Sequence, residues 1–214
     1  MAKQIKNYTA FDAGTPADND DLYVIQKEST NETMKVKASN AIPDGVITGD
    51  KIDWASGDIW WEELGRDTLT TTGDSMTVTI PVRKFLNIIV YAINSGTIST
   101  QITFNGDTGT NYARRRSDNG GADTSNTSEY NVSVSTAVAG IIYSESYVIN
   151  IATQEKLVIS STSNIVSGAG TAPTRRENAG KWVNTTDAIT SVTCTNNQSG
   201  SYLADSYLIV LGHD

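Results

Sequence analysis

At 214 residues with a formal net charge of -8, the chain is long enough for one domain plus an appendage or two small domains, and too acidic for nucleic acid to be its main partner. Cys194 and His213 are the sole members of their types, which excludes an intrachain disulfide, a cysteine-built metal site and a histidine-based triad within one chain. Hydrophobic residues at 38% suffice for a core, while 19% charged residues and abundant Ser, Thr, Asn and Gly indicate an all-β protein with many turns.

Residues 1–9 contain Lys3 and Lys6 but no apolar run, so the sequence predicts no secretory signal, no membrane insertion and synthesis in a cytoplasm. Residues 1–40 read as a first unit. An acidic turn at 16–21 opens a strand over 22–26, and a second strand follows over 33–37. A hairpin this small is marginal alone in water. Leu22, Tyr23, Val24, Ile25, Met34 and Val36 therefore need a surface to dock on, either another subunit or an assembly.

Residues 41–57 read as a connector that begins with the turn signal Ile42-Pro43-Asp44-Gly45. Val46, Ile47, Ile52 and Trp54 are spaced with neither helical nor strand periodicity. One copy alone leaves them in water, whereas three copies wound about an axis bury them. Residues 58–65, with Trp60 and Trp61, read as one helical turn or as the lead-in to a first strand.

The remaining chain, 58–214, reads as a β-sandwich of jelly-roll type. Strands are predicted near 68–72, 76–80, 85–94, 99–104, 130–136, 146–152, 156–162, 181–183, 188–195 and 206–211. Residues 85–93 and 207–211 are apolar on both faces and read as central strands, covered on one side by the core and on the other by a second sheet, a loop or a neighbouring subunit. Two long loops are predicted, 113–129 and 165–180. They carry Arg114, Arg115 and Arg116, and Arg175 and Arg176, as candidates for surface contacts. Pairing of these arginines with the protein's own carboxylates is the alternative use.

Few residues suggest catalysis. Glu62 with Glu63, Asp107, and Asp118 with Asp123 are carboxylates with no second feature that brings two to one cleft. Residues 18–21 lack the glycine and distal glutamate of a calcium loop. Asn105-Gly106-Asp107-Thr108-Gly109 reads as a tight turn in which glycines supply positive φ. The four tryptophans suit packing or subunit contacts, with sugar stacking as the other use. No enzyme activity and no cofactor are expected.

Two segments resemble tailed-bacteriophage structural proteins. Residues 11–40, with Asp21-Leu22-Tyr23-Val24-Ile25-Gln26 and Thr33-Met34-Lys35-Val36-Lys37, are similar to the N-terminal attachment modules of phage fibre and decoration proteins. Gly45-Val46-Ile47-Thr48-Gly49-Asp50-Lys51-Ile52 looks like one copy of a linker that recurs in trimeric phage fibres. The run Phe104 to Tyr112 with its following arginines resembles a turn in the C-terminal β-sandwich of phage head or tail proteins. The resemblance implies a virion protein that assembles in a host bacterial cytoplasm as a homotrimer. Residues 1–40 would anchor it to capsid or tail proteins, 41–57 would form a short threefold stalk, and 58–214 would project outward. It implies a capsid decoration or head-fibre role, with a tail-fibre or tail-tip protein that recognises host surface glycan as the rival.

Overall fold

The computed structural model describes residues 60–137, 140–165 and 168–214, together with two strands nearer the N-terminus. The chain divides into two compact units, Met1–Ser56 and Gly57–Asp214. In the first, β1 (Leu22–Gln26) and β2 (Thr33–Lys37) pair antiparallel, with Tyr23 opposite Val36 and Ile25 opposite Met34. Val46, Ile47, Ile52 and Trp54 lie outside the described residues, as does the acidic turn at 16–21.

The second unit is all-β. In chain order it contains β3 (Glu62–Thr68), β4 (Ser75–Thr79), β5 (Phe85–Asn94), β6 (Ile98–Phe104), β7 (Tyr112–Asp118), β8 (Thr124–Glu129) and β9 (Val132–Ala137). There follow β10 (Gly140–Ile149), β11 (Lys156–Ile165), β12 (Thr174–Trp182), β13 (Ser191–Asn196) and β14 (Tyr207–His213). Eight strands form one antiparallel sheet in the order β3-β14-β5-β10-β11-β12-β7-β8, and four form another in the order β4-β13-β6-β9. The two pack face to face as a β-sandwich.

Period-two alternation builds the core. Met76 and Val78 of β4, Val192 and Cys194 of β13, and Ile102 and Phe104 of β6 point into it from the small sheet. Leu86, Ile88, Val90, Ile142, Val148, Val158, Leu208 and Val210 meet them from the large sheet, all buried. Each such aliphatic side chain contributes about 1.5–3 kcal/mol when fully buried. Phe104 bridges the sheets, with its ring centroid 6.2 Å from Tyr112 and 5.7 Å from Trp182. Where the turns after β5 and before β14 meet, Gly96 and Gly200 touch backbone to backbone. A Cβ on Gly200 would lie 2.7 Å from the Gly96 carbonyl carbon.

The structure departs from the sequence expectation in the first strand and in the two long loops. The first strand of the sandwich is Glu62–Thr68, not 68–72, and its exposed Glu63 and Arg66 make it a charged edge of the large sheet. Most of the expected loop 113–129 is the hairpin β7–β8, and the second half of the expected loop 165–180 is β12. Of the covers expected for the second face of residues 85–93 and 207–211, neither a second sheet nor a loop of the described residues supplies one, which leaves a neighbouring subunit. Their inner face is buried, but Ile89, Tyr91, Ile93 and Tyr207 on the other face remain partly exposed.

Candidate functional site

The uncovered face of the large sheet follows from register. β10 pairs with β5 so that Tyr143 lies opposite Tyr91, and β14 pairs with β5 so that Tyr207 lies opposite Tyr91. Three tyrosines from three neighbouring strands thus form one rung, with Tyr91 and Tyr207 stacked at 5.2 Å. On the next strand Ile159 lies opposite Tyr147, and Ile165 opposite Ile141. Because side chains alternate, Tyr143, Tyr147 and Ile149 of β10 share this face with Leu157, Ile159 and Ile165 of β11. All six are exposed, and Ile159 reaches 68%.

At one end of this face the aromatic rings close ranks. His213 stacks on Phe85 at 4.9 Å, Trp61 meets His213 edge-on at 4.6 Å, and Trp61 meets Tyr147 edge-on at 6.0 Å. His213 is therefore packed within the sheet rather than held in a free tail. Between Trp61, Phe85, Tyr147, Ile149, Leu157 and Ile159 lies an apolar cleft of about 510 Å³. Glu145 sits on the same face, where Asn87 Nδ2 donates to it at 2.8 Å and the Tyr147 hydroxyl donates at 2.6 Å. That hydrogen bond, with burial and the Glu145 charge, pushes the Tyr147 phenol above its ordinary range.

The arginines expected on surface loops lie on strands, and alternation divides them. Arg115 of β7 and Arg175 of β12 are exposed and pair with Asp123 at 3.5 Å and Glu177 at 3.6 Å. Arg114, Arg116 and Arg176 are the alternate positions. Arg114 pairs with Glu129 at 3.4 Å, Arg116 with Asp118 at 3.5 Å, and Arg176 with Asp118 at 2.5 Å. The Arg114 and Arg176 side chains are only 9% and 11% exposed, which withdraws them from any surface contact. Burial lowers the Arg114 guanidinium below its ordinary range, partly offset by Glu129 and reinforced by Arg116 and Arg176. Asp118 is held below the usual carboxylate range, chiefly by its hydrogen bond from Arg176.

The turn that precedes them is a structural corner. Asn105 and Gly106 both have positive φ (52° and 68°), and the Asp107 amide donates to the Phe104 carbonyl at 2.9 Å. That is the turn geometry Asn-Gly favours. The Asn105 side chain ties the corner to the start of β13. Its Oδ1 accepts from the Thr190 and Ser191 amides, and its Nδ2 donates to the Ala188 carbonyl. The buried Tyr112 hydroxyl accepts from the Phe104 amide and donates to the Asp107 carbonyl, each at 3.0 Å. Asp107 accepts from Trp182 Nε1 at 2.6 Å, from Asn111 Nδ2 and from the Gly109 amide. Burial pushes the Asp107 carboxyl up, but these hydrogen bonds outweigh it and hold the group below the usual range.

The remaining carboxylates are not drawn to one cleft. Glu62 pairs with Arg83 and Glu63 with Arg66, on opposite sides of an edge strand. Among the described residues no cluster of three or more metal-ligating side chains occurs, and no helix is long and apolar enough to cross a membrane. Comparison with protein-family models, curated proteins and solved structures found no match.

Proposed function

We propose that this chain is a structural subunit of a tailed-bacteriophage virion, a homotrimeric capsid-decoration or head-fibre protein that attaches through residues 1–40. The observation that carries the reading is the uncovered apolar face of the large sheet. An acidic chain that leaves Leu157, Ile159, Ile149 and Tyr143 in water has surface suited to being covered, and covering is what an assembly subunit does. The resemblances of residues 11–52 to attachment modules and fibre linkers supply the class of assembly. Val46, Ile47, Ile52 and Trp54 would meet between chains in the stalk, and Leu22, Tyr23, Val24, Ile25, Met34 and Val36 would face the particle. Binding to the assembled shell alone would stabilise it by mass action.

The rival reading, a tail-fibre or tail-tip protein that recognises host surface glycan, is favoured by one feature. Trp60 and Trp61 are both exposed, and Trp61 lines the cleft, where an aromatic ring can stack on a sugar. Particles with and without the protein separate the readings. Decoration predicts unchanged adsorption to host cells and reduced tolerance to heat or osmotic shock without it. Loss of adsorption with unchanged tolerance supports the rival, and absence of the protein from purified particles refutes both.

A further inference from the structure

We infer that the outer face of the large sheet is closed by further copies of this same chain. The unit Gly57–Asp214 then carries a subunit interface of its own, separate from residues 46–54. This deepens the homotrimer reading and rests on it for the number of copies.

Area is the first argument. Trp61, Tyr143, Tyr147, Ile149, Leu157 and Ile159 are between 40% and 68% exposed. With about 200 Å² for a whole aromatic and about 100 Å² for a whole aliphatic side chain, they present roughly 400 Å² of apolar surface. A stable interface takes about 800 Å² from each partner, of which about 450–500 Å² is apolar. The partly exposed Ile89 and Phe85 on the same face supply the difference.

Charge selects the occupant. The chain carries a net charge of -8, so copies repel one another through most orientations. The surround of this face is balanced within the chain. Arg66 pairs with Glu63, Arg115 with Asp123, Arg175 with Glu177 and Lys181 with Glu155, four cations against four anions. The carboxylate on the face itself, Glu145, is already engaged by Asn87 and Tyr147. A neutral-rimmed apolar face lets two acidic copies meet without like-charge repulsion. Among the described residues the one cation beside it outside those pairs, Lys84 over the Phe85 ring, is matched by Glu145, so the face has no excess of positive charge to draw an anionic membrane.

The test is hydroxyl-radical footprinting of the full chain with light scattering on the same samples, for wild type and for the variant Leu157→Asp with Ile159→Asp. Wild type is expected as an oligomer in which Tyr143, Tyr147 and Ile149 react at least fivefold more slowly than in the variant. The variant is expected to lose at least ~100-fold in association, the scale of central interface positions. Both substituted residues are more than half exposed, so the fold should survive. Should circular dichroism show otherwise, Ile159→Ser replaces the pair with an expected tenfold weakening. A wild-type trimer in which Tyr143, Tyr147 and Ile149 label as freely as in the variant overturns the sheet interface and keeps the homotrimer reading. A protected dimer keeps the interface and overturns the trimer. A monomer overturns both.

Discussion

Replacing Tyr112 by Phe probes the corner that ends β6, because it removes one oxygen from a site with no solvent. Tyr112 is 1% exposed, and its hydroxyl accepts from the Phe104 amide and donates to the Asp107 carbonyl. Without it the Phe104 amide is a buried donor lacking its partner, at a cost of about 1–3 kcal/mol, and the bond to Asp107 loses about another 0.5–1.5 kcal/mol. The ring stays, so its contacts with Phe104 and Trp182 persist and add no cavity term. The total is roughly 2–4 kcal/mol. At about 2–4 °C per kcal/mol for a domain of this size, Tm should fall by roughly 4–16 °C. Calorimetry of the full chain beside wild type reads this directly, with urea midpoints as a second measure. A Tm within 2 °C of wild type would refute the reasoning, since it would mean that the hydroxyl is not what fixes the turn.

Two further substitutions test the polar interior. Asp107 is a depressed carboxylate, so its contribution is present above its unfolded pKa of about 3.9 and is lost as pH falls through the lower folded value. Asp107→Asn should flatten the acid limb of stability measured by denaturant titration between pH 5 and 2, and an unchanged limb would count against the assignment. Arg114 is nearly buried, and its Nε and Nη1 have no hydrogen-bond partner within the protein. Arg114→Met removes those desolvated donors but leaves Glu129 without its cation, so it should cost about 1–3 kcal/mol in urea unfolding, less than for a fully buried pair. A loss above 3 kcal/mol would show that the pair with Glu129 holds β7 to β8.

Much of the sandwich was legible because aliphatic residues alternate with polar ones along β4, β6, β10, β11 and β13. The β7–β8 hairpin was not, because Arg114 and Arg116 occupy positions where a core strand would carry Val or Ile, and β8 is entirely polar. A turn signal was nevertheless present. Asn119 and Gly120 both adopt positive φ, and the Gly121 amide closes the turn on the Asp118 carbonyl, as Asn-Gly does after Phe104. Reading that dipeptide as a hairpin turn would have recovered both strands. The uncovered face was hidden for a different reason. Residues 85–93 look buried on both sides, and a sequence cannot distinguish cover from its own chain from cover by another.

That last ambiguity makes self-association the point on which the account turns. Sedimentation equilibrium of the full chain from about 0.1 to 50 µM should give a mass of about 69 kDa, three times the 23.0 kDa of one chain. A single species of 23.0 kDa across that range would contradict the account.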